Sequence, residues 1–417
     1  MSKKEAAVSR DANNLIVGLD IGTSKIVAVA AEIQDDGMLN VVGLGSATSR
    51  GLKRGVVVDI EKTVGAIQSA LGEAELMADC KIREVFTGIA GSHIKGINSD
   101  GMVAIKDKEV TDADVQRVIE TASAVNIPTD HQVLHILAQE YMIDGQEGVK
   151  EPLGMSGVRL HVNVHIVSGA VSAVQNITKC VRRCGLEIAE VVLQPLASAT
   201  SVLTDDEKEL GVCLVDVGGG TTDLAVFMGG AIRHTAVIPI AGDQITNDIA
   251  MALRTPTAEA ENIKIQHGVA LRHMTDPQQM IEVPGVGERG SRQMSRHTLA
   301  EVVEPRIEEL YALVQAELRR NGFEDRLSSG IVITGGASLM PGMVELAEEI
   351  FHMPVRLGLP KYVGGLAEVV KNPRYSTAVG LLLLAREQYH KNPAGKAKDG
   401  SFGDILGRMK AWFQNNF

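Results

Sequence analysis

Val212-Cys213-Leu214-Val215-Asp216-Val217-Gly218-Gly219-Gly220-Thr221-Thr222-Asp223 reads as a buried strand that turns just after an aspartate, with Leu224 to Met228 as the returning strand. The same device stands in the first half of the chain. There Leu15-Ile16-Val17-Gly18-Leu19-Asp20-Ile21-Gly22-Thr23-Ser24-Lys25 leads into the apolar run Ile26 to Ala31. An apolar run, an acid, a glycine turn and a second apolar run make a β-hairpin with a polar tip. Its occurrence once in each half predicts two related lobes. A third apolar strand, Ile331 to Thr334, runs into Gly335-Gly336-Ala337-Ser338 and a helix from about Gly342 to Phe351.

Glycine turns let backbone N–H groups approach phosphate oxygens without an intervening Cβ. Thr23, Ser24, Thr221 and Thr222 add hydroxyl donors, and Lys25 adds a point charge. Asp20 and Asp216 are suited to holding Mg2+ through its water shell. One such loop is also how an ordinary hairpin is built; two matched loops with Gly335-Gly336 point to ATP. The first strand ends in neither GxxxxGK[ST] nor GxGxxG, so P-loop and dinucleotide readings fail.

The 417 residues exceed one ordinary core and predict at least two domains. With 41 basic and 52 acidic residues the formal charge is -11, which disfavours nucleic acid as a partner. The four cysteines show no CxxC spacing, which predicts reduced thiols in a cytosol. Cys180 and Cys184, one turn apart on a helix ended by Gly185, read as packed thiols. Residues 1 to 14 lack the apolar run of a secretory signal, and no stretch reaches the ~20 apolar residues of a membrane span.

Thr111 to Val125 predicts a helix with Thr111 as N-cap and Asp112 and Asp114 in the first turn. Val158 to Ile166 alternates as a half-buried strand, and its polar face puts His161 and His165 in solvent rather than on a metal. The stretch 272–297, with Pro277, Pro284, Gly285, Gly287 and Gly290, predicts a loop at the edge of the second lobe rather than core. After Arg386 the composition turns polar.

Paired Asp-x-Gly hairpins with a late Gly-Gly turn resemble the actin, Hsp70 and sugar-kinase superfamily. The stretches Gly18 to Ile26, Arg54 to Ile67, Gly88 to Ile94, Val215 to Phe227 and Val332 to Gly342 are similar in order and spacing to the FtsA family, the bacterial actin-like cell-division proteins. The resemblance covers nearly the whole chain. It implies an α/β fold of two actin-like ATPase lobes, duplicated RNase H-like domains, with a small α/β insert in lobe 1 and a C-terminal amphipathic helix. The expected division is lobe 1 core at 1–89 and 170–198, the insert at 90–169, lobe 2 core at 199–233 and 316–375, and an outer lobe 2 subdomain at 234–315. A return to lobe 1 at 376–390, a linker at 391–401 and the terminal helix at 402–417 complete it.

The resemblance also implies roles for matched residues. Gly22, Thr23 and Ser24 fall on the first phosphate loop and Gly218, Gly219, Gly220, Thr221 and Thr222 on the second. Gly335, Gly336 and Ala337 fall on the adenosine turn. Glu261 and Lys264 fall on a helix touching ribose and base, where a plain surface ion pair is the alternative. Gln194, followed by Pro195 at a helix start, matches the water-orienting position of superfamily members that hydrolyse ATP, or is an ordinary polar residue. Glutamine cannot act as a base at neutral pH, so hydrolysis is expected to be slow or absent.

Phe402, Trp412, Phe413 and Phe417 concentrate aromatics in the last sixteen residues, the only tryptophan among them. At 100° per residue Ile405, Leu406, Met409, Trp412, Phe413 and Phe417 share one face, flanked by Arg408 and Lys410. That is the pattern of a helix lying in an anionic lipid surface, with docking on the chain itself or on a partner protein as alternatives. The resemblance implies a peripheral protein on the cytoplasmic face of the inner membrane at the division septum. Its implied partners are copies of itself, the FtsZ C-terminal tail on residues 234–315, and later divisome membrane proteins on the insert. A small-molecule kinase on the same fold is the alternative.

Overall fold

A computed structural model of the chain describes residues 14–287 and 289–391. Residues 392–401 of the predicted linker and the terminal helix at 402–417 lie outside these residues, while Lys391, the first expected linker residue, ends the last helix. The first lobe opens with β1 (Leu15–Ile21), β2 (Lys25–Ile33) and β3 (Leu39–Thr48) as an antiparallel meander. A small ladder of β4 (Leu52–Lys53) and β5 (Val56–Val57), helix α1 (Ile60–Ala78) and strand β6 (Glu84–Ile89) follow. The insert comprises β7 (Ile94–Ala104), α2 (Asp112–Ser123), β8 (His131–Ile143), β9 (Gln146–Val149) and β10 (Arg159–Ala170), its sheet ordered β7-β10-β8-β9. Thr111 caps α2 as expected and adds a capping box, its hydroxyl taking the Asp114 N–H while Asp114 takes the Thr111 N–H. The chain returns through α3 (Val171–Arg183), β11 (Glu187–Leu193), α4 (Gln194–Val202) and α5 (Asp205–Leu210).

The second lobe repeats the plan with β12 (Val212–Val217), β13 (Thr222–Met228) and β14 (Ala231–Ile238). Helices α6 (Gly242–Ala252) and α7 (Thr257–His267), hairpin β15 (Met280–Val283) and β16 (Arg292–Ser295), and helix α8 (Arg296–Arg320) form its outer part. Then come β17 (Ile331–Thr334), α9 (Met343–Phe351), β18 (Val355–Leu357), β19 (Val363–Gly365), α10 (Ala367–Val370) and α11 (Ser376–Lys391).

The duplication is visible in the sheets. Lobe 1 runs β3-β2-β1-β6-β11 with β19 added beside β3, and lobe 2 runs β14-β13-β12-β17-β18. In each, the first hairpin strand pairs antiparallel with the second and parallel with the fourth. The hairpin strands are apolar without alternation because both faces are covered. Ile26, Ala28 and Ala30 of β2 join a core with Val64 and Ile67 of α1, while Val27, Val29 and Ala31 join the core of α11 with Val379 and Leu382.

Helices α4 and α11 cross between the lobes. A Cβ at Gly380 would stand 1.7 Å from the Ala197 carbonyl oxygen, so only glycine permits this crossing. The stretch 272–297 differs from its expectation: Ile281 and Val283 of β15 are buried in the lobe 2 core. Period-two burial there (exposed, buried, exposed, buried) outweighs the surrounding prolines and glycines. Among the described residues no helix is long and apolar enough to cross a membrane.

Candidate functional site

The two glycine loops are built alike. Gly22 N–H donates to the Lys25 carbonyl at 3.0 Å, and Gly218 N–H donates to the Thr221 carbonyl at 3.0 Å. They face each other across the cleft, close enough that a Cβ at Gly219 would stand 1.7 Å from Ser24 Oγ and one at Gly220 2.7 Å from Thr23 Oγ1. Thr23 Oγ1 also accepts the Gly55 N–H at 3.0 Å.

Beneath the loops sit Asp20, Asp216 and Asp223, with Lys25 as the nearby cation. Burial, opposed by Lys25 and reinforced by Asp216, pushes the Asp20 carboxyl up to about 6. Burial and the charges of Asp216 and Asp20 push Asp223 up to about 8, and burial raises Asp216 against a hydrogen bond from Ser198. Burial lowers Lys25 to about 8. Among the described residues Lys25 Nζ and Asp223 Oδ1 are buried without a hydrogen-bond partner. Lys25 Nζ lies 5.1 Å from the Tyr375 ring centre.

One helix reaches both lobes' acids. Gln194 at the start of α4 donates to Asp20 Oδ1 at 3.0 Å, and Ser198, a turn later, donates to Asp216 Oδ2 at 2.6 Å. Ser198 Oγ lies 3.0 Å from Thr377 Oγ1 on α11. The glycine turn after β17 closes the third side. Gly335 has φ of 89°, and a Cβ there would stand 2.4 Å from Asp216 Oδ1, so both conformation and space demand glycine. Gly336 is not so confined.

Lys264 pairs with Glu261 at 2.7 Å and donates to Thr246 Oγ1 at 2.8 Å and to the Gly242 carbonyl at 3.1 Å. Thr246 also bonds to Glu261. Lys264 is only 10% exposed in its side chain, so this pair is more than a solvated ion pair. A Cβ at Gly242 would touch the Gly218 carbonyl, Lys264 Nζ and Ala337 Cβ, at 3.3, 3.4 and 3.6 Å, so Gly242 is where Lys264 of α7, the second loop and the Gly-Gly turn come together.

Sequence reasoning did not select Asp243, Tyr375 or Ser198, nor Arg374, whose charge helps to lower Lys25. Ser24 donates to Asp243 Oδ1 at 3.3 Å, while Asp243 N–H donates to the Gly219 carbonyl at 2.7 Å. Asp243 could have been found as the acid in the first turn of a helix beginning at Gly242; the others carry no local signal. Among the described residues no three His, Cys, Asp or Glu side chains converge to hold a bare metal ion. His165, expected in solvent, is 1% exposed, and His161 pairs with Asp100 at 3.1 Å. At His165 the polar face of β10 is covered by β14 of the second lobe, whereas Arg159 on the same face is exposed.

The raised acids have a thermodynamic signature. The folded chain keeps a proton on Asp223 up to about pH 8, whereas the unfolded chain has lost it near pH 4. Folding then binds the extra proton, so this group's contribution to stability falls as pH rises. Asp223→Asn should therefore gain on the wild type between pH 5 and 8 and stop gaining above. Paired melting curves check this; a gain of a few degrees corresponds to about 1–2 kcal/mol.

Comparison with known proteins follows the same outline. A family profile described as "Cell division protein FtsA" matches residues 213–380, and one described as "SHS2 domain inserted in FTSA" matches 91–168. The "Cell division protein FtsA" of Pseudomonas aeruginosa is 60% identical over 415 residues, covering 98% of this chain and 100% of the relative. Among solved structures, a "PilM-PilN type IV pilus biogenesis complex" superposes with TM-score 0.64 at 17% identity, over 89% of this chain and 98% of that one. MreB5 of Spiroplasma citri bound to ADP superposes with TM-score 0.56 at 15% identity, over 92% and 99%. The last two establish the actin-like fold.

Proposed function

From the chain's membership of the FtsA family of cell-division proteins, we propose that it binds ATP with Mg2+ between its lobes and self-associates on the cytoplasmic face of the inner membrane at the septum. There it tethers the FtsZ ring. The observation that carries the ATP reading is the cluster of buried Asp20, Asp216 and Asp223 beside the unpartnered Lys25 Nζ. Carboxylates packed this way are short of positive charge, and a buried ammonium without an acceptor is short of an anion. A divalent cation with a polyphosphate supplies both. Mg2+, bound through water to Asp20 and Asp216, would neutralise phosphate charge.

The chain's own residues then divide the work. The Gly22 and Gly218 N–H groups close their own turns, so the N–H groups of Thr23, Ser24, Gly219 and Gly220 hold the phosphate chain with the hydroxyls of Thr23, Ser24 and Thr221, while Thr222, whose hydroxyl donates to the Ile240 carbonyl at 2.7 Å, fixes the second loop. Lys25 supplies charge, Gly335, Gly336 and Ala337 line the adenosine end, and Glu261 and Lys264 hold ribose and base. Gln194 orients water, and slow or absent hydrolysis makes ATP a switch for assembly. Residues 234–315 take the FtsZ C-terminal tail, and the insert contacts filament neighbours and later divisome membrane proteins. Residues 402–417 hold the anionic lipid surface. Electron microscopy of the full chain on anionic lipid monolayers tests the coupling. Filaments are expected with ATP and not without; none under either condition overturns self-association on lipid.

A further inference from the structure

Strand β8 of the insert touches both lobes, through the half-buried His135 at one end and the buried Gln139 at the other. At one end, His135 Nε2 accepts the Leu193 N–H at 3.0 Å. Leu193 ends β11 and is the N-cap of α4, which has no side-chain cap of its own. The ring therefore satisfies a donor that a helix start leaves open. The next residue is Gln194, which holds Asp20. Burial lowers the His135 ring to about 4, so it is neutral and keeps its Nε2 lone pair.

At the other end, Asn163 pairs with Glu140 and Val164 with Ala138, which leaves Gln139 as the extra residue of a bulge. Bulges re-aim side chains, and here the Gln139 amide is turned onto lobe 2. It donates to the Ile232 carbonyl at 2.9 Å and to Asn98 Oδ1 at 3.2 Å. Asn98 Nδ2 donates to the Arg233 carbonyl at 3.1 Å. Since Asn98 Oδ1 only accepts, His165 Nδ1 carries the proton it donates there at 2.6 Å, and His165 Nε2 accepts from Thr235 Oγ1 at 2.8 Å. Ile232, Arg233 and Thr235 belong to β14, the edge strand of the lobe 2 sheet. Arg233 with Glu140 at 3.5 Å and Lys150 with Glu209 at 2.8 Å flank this seam.

We propose that β8 is a brace: His135 positions Gln194 from behind, Gln139 fixes lobe 2 against the insert, and the strand between them sets how the cleft closes. Neither residue is needed for the insert's own core. The inference rests on the reading of the cleft as a nucleotide site. It has a reciprocal consequence, because a ligand on the insert that shifts β8 changes nucleotide affinity by the factor by which nucleotide changes that ligand's binding.

Release of a fluorescent ATP analogue, chased with unlabelled ATP, tests the brace in the full chain. His135→Phe, which leaves the Leu193 N–H unpaired, should release the analogue about tenfold faster. His135→Gln, whose carbonyl can accept that N–H, should stay within about twofold of wild type, a rescue that loss of packing would not give. In a Gln194→Ala background His135→Phe should add less than about twofold, since it acts through Gln194. Gln139→Leu should speed release from the other end, and it carries the test if His135→Phe does not fold. Unchanged release in both His135→Phe and Gln139→Leu, or full additivity with Gln194→Ala, overturns the brace. A wild-type chain that binds no analogue instead overturns the reading of the cleft.

Discussion

Gly219→Val is expected to abolish ATP binding in a chain that still folds. The hairpin β12–β13 is held by its strands, where Val215, Val217 and Leu224 are fully buried and paired, so the tip contributes little to the core. At the tip a Cβ on Gly219 would stand 1.7 Å from Ser24 Oγ, 2.9 Å from Ser24 Cβ and 3.3 Å from Asp243 Oδ1. Rotating Ser24 cannot relieve a clash that also involves its Cβ. The isopropyl group must push the second loop away from the first and break the Asp243 N–H bond to the Gly219 carbonyl. Donors that must converge on one phosphate chain are then separated. Affinity should fall by about 100-fold or more, the equivalent of ~2.7 kcal/mol. Gly65→Ala is the contrast, since Gly65 is exposed on α1, outside the cleft, and a Cβ there meets nothing within 4 Å. Titration calorimetry with ATP, beside melting curves without it, separates the outcomes; binding retained in Gly219→Val would remove these loops from the site.

The two hairpins were legible in the sequence because each is local: strand, acid, turn and strand are contiguous, and burial on both faces writes itself as an unbroken apolar run. The N-cap at Thr111 and the helix start at Gln194-Pro195 are legible for the same reason. What the sequence hides is where distant pieces meet. Ser198 and Thr377 are ordinary helix residues until α4 and α11 cross, and Asp243 reaches Ser24 only across the cleft. His165 shows the limit most clearly. Alternation correctly assigned it to the face of β10 away from the insert's helix, but alternation reports which face a residue takes and not whether another lobe covers that face. The β15 strand was hidden differently, since two apolar residues among prolines and glycines are a weak periodic signal until a core is there to receive them.

Deleting residues 402–417 should abolish sedimentation with anionic liposomes and leave ATP affinity unchanged within about twofold. The segment lies outside the described residues. Its six apolar side chains, half buried in lipid, supply ~5 to 10 kcal/mol. Ordering the helix consumes much of that gain. A single tail therefore holds weakly, and from Lys391 onward five basic against two acidic residues add attraction to an anionic leaflet that repels the acidic body. Linking many tails in one filament multiplies attachment with no new contact. Membrane retention should consequently depend on ATP in the intact chain, and that dependence should vanish in Gly219→Val even though its tail is untouched. If Gly219→Val sediments as well as wild type with ATP, the cleft and the membrane are not coupled through assembly. If the deleted chain still sediments, the tail is not the anchor, and docking of 402–417 on the body or on a partner becomes the reading to pursue.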